Sequence, residues 1–183
     1  MRKLGFAAFA VVGLVLSASS VRAEEVANPE YDMWAKFKVG SFVVMKMETE
    51  TGGNKSDMEY TYTLKELTKD KAVVETKGHM MMGGNKIDIP ANSRDIPAKV
   101  KKAEEGKKGD EPKHKEGDEE IEVGGKKVKC HWTEADTEAS GMKTHSKTWM
   151  SKDIPGNIAK MESKSEGAMK STTKMWADKW ETK

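Results

Sequence analysis

A mainly β chain, built as an antiparallel meander with a short N-terminal helix and a long charged loop, is predicted by three observations. Apolar and polar residues alternate with period two over several stretches, and glycine-bearing turns separate those stretches. Between them no run of ten or more residues carries the apolar stripe of a helix, which argues against a parallel α/β architecture.

The first 23 residues form a unit of their own. Arg2 and Lys3 precede a continuous apolar run from Leu4 to Leu16, and Val21-Arg22-Ala23 offers a cleavage point before Glu24. The run falls short of the roughly 20 residues that a bilayer span needs. Cleavage of a signal peptide is therefore expected. Residues 24–183 are expected to form a single β-rich domain in the periplasm or medium, with no stable membrane insertion.

Each element follows from local pattern. Asn28-Pro29 supplies an N-cap and a first helical residue for a helix carrying Tyr31 and Trp34, which Gly40 ends. Val43, Met45 and Met47 alternate with Val44, Lys46 and Glu48, and after a Gly52-Gly53 turn Met58, Tyr60, Tyr62 and Leu64 share one face. A third strand runs from Ala72 to Met82. Residues 99–119 hold Lys and carboxylates with little apolar content, so a flexible charged loop is predicted there. Glu120 to Lys129 then reads as a hairpin about Gly124-Gly125, in a register that sets Glu122 against Lys127, Ile121 against Val128 and Glu120 against Lys129. Further strands are expected over 143–152, 157–164 and 168–176, and Trp176 and Trp180, four apart, could share a closing helical turn.

Charge and composition exclude several function classes. Arg2, Lys3 and Arg22 lie in the signal segment, so residues 24–183 carry 29 basic against 30 acidic groups, which is unlike a nucleic-acid binder. Leu, Ile, Val and Phe number only 19 in that span, and 12 Met with eight Trp and Tyr must supply the rest of the core. Cys130 is the only thiol, and its neighbour His131 projects to the other strand face, so a buried free thiol is expected and not a nucleophile. No serine-nucleophile, phosphate-loop or zinc-helix motif occurs, and no cofactor is implied. The run His79-Met80-Met81-Met82 offers imidazole and thioether ligands for Cu(I), with alternation placing His79 and Met81 on one face. Trp34, Trp132 and Trp149 are candidates to line an apolar cavity.

The segment Thr148-Trp149-Met150-Ser151-Lys152-Asp153-Ile154-Pro155-Gly156, with the opening Trp34 to Val43 and the strand Glu120 to Trp132, resembles exported bacterial proteins with a lipoprotein-carrier-like half-barrel. That resemblance implies a curved or half-barrel sheet with an apolar concave face that holds acyl chains. The expected function is a noncatalytic exported binding or envelope-associated protein, with an apolar small molecule or lipid as ligand. A Met/His copper-binding module, a structural or protein-interaction domain and a hydrolase are the alternative readings.

Overall fold

A computed structural model describes residues 24–102, 114–139, 141–167 and 169–183; the predicted signal segment 1–23 and residues 103–113 of the predicted charged loop lie outside them. Strand β1 (Glu25–Ala27) leads into helix α1 (Pro29–Trp34), where the Asn28 side chain accepts from the Glu30 amide at 3.1 Å. The strands β2 (Phe42–Thr51), β3 (Asn54–Leu67), β4 (Lys71–Met82) and β5 (Asn85–Pro97) follow as consecutive hairpins. A short β6 (Lys99–Lys101) pairs with β1. The second half holds β7 (His114–Val123), β8 (Lys126–Ala139), β9 (Met142–Met150), β10 (Ile158–Glu166) and β11 (Ser171–Glu181). Residues 99–101 and 114–119 of the stretch predicted as loop thus lie in β6 and β7.

The main sheet has nine antiparallel strands in the order β5-β4-β3-β2-β11-β10-β9-β8-β7. Each half is a meander, and the two meet where β2 pairs with β11. Both residues of the Gly124-Gly125 turn have positive φ, 56° and 70°, the conformation a two-residue hairpin favours and that side chains resist. The same turn recurs at Gly52-Gly53 and Gly83-Gly84. The β7–β8 register is the predicted one, with Glu120 opposite Lys129, Ile121 opposite Val128 and Glu122 opposite Lys127.

Two expectations are overturned. The sheet is neither closed nor curled into a half-barrel: β5 and β7 are its two edges and exchange no backbone hydrogen bonds. Closure requires two edges that can continue a ladder in a defined stagger. Here β5 carries Pro90 inside a register break between Thr76 and Gly78 on its partner, and β7 places Glu116, Asp118, Glu119, Glu120 and Glu122 along the other edge. Proline and dense like charge are both features that prevent an edge from pairing. The closing helical turn is absent too, because Trp176 and Trp180 lie in β11. A register shift between Ala177 and Lys179 puts Trp176 opposite Lys46 and Trp180 opposite Val43, on opposite faces of the sheet.

Buried residues from both halves of the sheet form one contiguous core cluster. Val43, Met45, Leu64, Val74 and Ala177 are buried on the face that α1 covers. Val128, Cys130 and Trp149 join the cluster from β8 and β9. Among the described residues, no helix is long and apolar enough to cross a membrane.

Candidate functional site, a groove and a cavity under the helix

Helix α1 is tied down by polar contacts at its first two turns. The Asn28 amide donates to the Pro97 carbonyl at 2.7 Å, the Tyr31 hydroxyl donates to the Thr68 carbonyl at 2.6 Å, and both Arg94 guanidinium arms donate to the Glu30 carboxylate. Behind those ties Trp34 is buried against Gly156. Between the helix and the sheet lies a cavity of about 180 Å³ whose apolar walls are Met33, Trp34, Val43, Met45, Tyr62, Val74, Ile158 and Met175.

On the other side of the helix a groove of about 980 Å³ opens between α1, the ends of β7 and β8, and residues 150–153 and 157. Met33 lines both spaces. The groove's rim is charged. Asp118 is 3.0 Å from His131 Nδ1, and Glu116 is 3.6 Å from His131 Nε2; the Asp118 hydrogen bond holds the imidazole pKa above its ordinary value, with Glu116 adding to it. Glu119 accepts from Trp149 Nε1 and from Lys147 at 3.2 Å, which lower its pKa in that order. Lys36, Lys129, Lys152, Asp32 and Asp153 line the groove without an ion-pair partner among the described residues.

Asn157 also lines the groove. Its backbone is pinned, the amide donating to Ile154 O and the carbonyl accepting from Ser151 N, both at 2.8 Å, at φ 61°. Its Oδ1 is buried and accepts no hydrogen bond. Leaving a buried acceptor unmatched costs about 1–3 kcal/mol.

From Met175 the apolar surface continues across the sheet. Met161, Met175, Met47, Met58 and Met80 are successive cross-strand partners on β10, β11, β2, β3 and β4, all half-buried. The next row on this face is hydroxylic, Ser163, Thr173, Thr49 and Ser56, whereas the opposite face at the same level is charged with Glu162, Lys174, Glu48 and Asp57.

The three predicted cavity tryptophans do not meet. Trp34 lines the cavity, but Trp132 and Trp149 face each other across β8 and β9 and do not line it. There Lys147 stacks on both indoles, at 4.2 and 4.6 Å, and Lys160 lies 4.9 Å from Trp149. Their covering is cationic side chains, worth about 0.5–2 kcal/mol for each such contact. Cys130 is buried and free, and burial first, then Glu119 and Asp153, push its thiol up to about 11, far from a nucleophile's range. His79 and Met81 share a face as alternation required, and His79 lies 4.0 Å from Glu59. Among the described residues no group of three or more His, Cys, Asp or Glu is arranged to hold a metal, which argues against the copper-binding reading.

Met33 and Asn157 escaped notice in the sequence. Pro155-Gly156-Asn157 marks a turn that tolerates positive φ, but an unmatched acceptor is a property of three-dimensional neighbours.

No family model matches the chain, and no curated protein matches it. It is structurally similar, at 9% identity and a TM-score of 0.47, to a lipoprotein candidate from Parabacteroides distasonis, over 81% of this chain and 98% of that one. A DUF1329 family protein from Desulfovibrio piger gives 8% identity and a TM-score of 0.27, over 84% and 92% of the two chains. The likeness is weak and is not specifically to lipoprotein carriers, which narrows the resemblance drawn from the sequence.

Proposed function

We propose that residues 24–183 form a noncatalytic exported protein of the periplasm or medium that binds an amphiphile, with the apolar part beneath α1 and the polar part in the adjoining groove. The observation that carries this reading is the position of Met33, which lines both an apolar cavity and a charged-rimmed groove. Ligand sites are typically apolar recesses with a few convergent polar groups, and methionine rearranges at low cost to admit a chain. The methionine row that starts at Met175 extends the same surface beyond the cavity.

An uncharged fluorophore, N-phenyl-1-naphthylamine, tests the apolar half by itself. Saturable enhancement at one site per chain is expected. Val74→Phe and, independently, Met175→Trp fill the cavity and should weaken binding at least tenfold, about 1.4 kcal/mol. A wild-type protein with no saturable response would sink the proposal, as would full binding by both variants when urea midpoints show them folded.

A further inference from the structure

The methionine row and the hydroxylic row belong to a larger surface. The first runs on to Ile87 on β5 and through Thr148 to Thr133 on β8, and a third row, Thr137, Thr144, Ser165, Ser171, Thr51 and Asn54, follows the hydroxylic one. No residue in the three rows is charged, although 34% of the chain is. Alternate positions of the same strands point to the other face, and at one level they read Glu134, Lys147, Glu162, Lys174, Glu48 and Asp57. Charge is confined to one face of this part of the sheet.

The uncharged face is also prepared for burial. Its hydroxyls bond to one another, Thr51 to Ser171 at 2.9 Å, Thr144 to Ser165 at 3.0 Å and Thr49 to Thr173 at 3.4 Å. A hydroxyl that keeps its partner is covered at little cost, and it has correspondingly little to offer a sugar or another polar ligand. Helix α1 packs at the opposite end of the face, against β4 and β5, and leaves Met82 and Met142 at the tips of the rows 54% and 49% exposed.

We infer that two copies of the chain meet on this face, sheet against sheet. Composition about the β2–β11 seam favours a second copy over an unrelated partner. Met47 and Met175, Thr49 and Thr173, and Thr51 and Ser171 pair across it, and one strand further out β3 and β10 each carry a methionine, a serine and a small polar residue. A two-fold axis running along the seam, between the sheets, therefore lays methionine on methionine and hydroxyl on hydroxyl and buries no charge. Eight strands at about 4.8 Å, with rows about 6.8 Å apart, give roughly 700 Å² of flat sheet before side-chain relief is added. A stable interface takes about 800 Å² of accessible surface from each partner, and small side chains let two sheets approach to about 10 Å. The inference goes beyond the amphiphile reading: the cavity beneath α1 meets these rows only at Met175, and a second copy roofs the row that continues from it.

Sedimentation of residues 24–183 from about 1 to 100 μM tests the inference across micromolar dissociation constants. The wild type should sediment as a dimer at the upper end. Thr173→Lys and, independently, Ser163→Lys place a charge in the rows and should weaken the dimer at least tenfold, whereas Thr172→Lys, one residue away on the charged face, should leave it unchanged. Thr173→Lys mixed with Thr173→Glu should recover a dimer that neither forms alone, because the axis brings the two positions together. A wild type that stays monomeric throughout, with or without bound detergent, would overturn the inference. So would a dimer that survives both lysine variants when circular dichroism shows them folded, or a mixed pair that remains monomeric.

Discussion

At Gly124 an added Cβ would sit 2.4 Å from the Asp178 carbonyl oxygen, whereas at Gly125, in the same turn, it would meet nothing within 4 Å. Both have positive φ, so alanine at either position costs about 1–2 kcal/mol in backbone strain. Only Gly124→Ala must also displace β11 backbone, and its urea midpoint should fall well below that of Gly125→Ala, by a further ~1 kcal/mol or more. Equal midpoints would mean that this turn does not touch β11. His131 gives a residue-scale prediction in pH. Its folded pKa is raised by the Asp118 hydrogen bond above the ordinary 6.5. The stabilisation from the pair is therefore fully present below that ordinary value and is lost as pH rises through the raised one. Wild type and Asp118→Asn should differ in unfolding midpoint at about pH 5.5 and converge by about pH 9. A difference constant across that range would assign the effect to something other than the imidazole's charge.

Elements were legible where the information is local. The β7–β8 register could be read because turn residues, alternation and opposite charges at Glu120 and Lys129 all point to one pairing. By contrast β5 carries Pro90 and few apolar groups, and its pairing with β4 comes from the neighbour's needs and not from its own pattern. Trp176 and Trp180 misled because an i, i+4 spacing fits a helix face and equally a strand with a bulge, and only pairing to β2 reveals the shift. The cap at Asn28 was readable, but the ties of α1 to Pro97, Thr68 and Arg94 lie 37 to 69 residues away and left no trace in local sequence. Tyr31→Phe removes one tie and should cost about 0.5–1.5 kcal/mol. Amide exchange should quicken in α1 while β2 and β3 keep their protection, and unchanged exchange at residues 29–35 would show that the helix does not depend on this bond.

At the scale of the whole molecule, the predicted meander was correct and the curvature was not, because alternation and turn chemistry are the same for open and closed sheets. The candidate site was still less legible, since it joins α1, β7, β8 and residues 150–157 from opposite ends of the chain. The seam between β2 and β11 has a consequence for the order of assembly. Thr51 and Ser171, whose hydroxyls lie 2.9 Å apart across that seam, are separated by 120 residues. Loops between neighbouring strands are short, so each meander can zip by fast local closure, but the central ladder must await the last strand of the chain. A polypeptide emerging from its N-terminus first would hold β2, with its apolar Val43 and Met45, as an unpaired edge throughout the synthesis or translocation of the next hundred residues. That interval is when self-association threatens most. The strand that ends the sequence acts as a zip fastener's final catch, converting two marginal half-sheets into one cooperative fold.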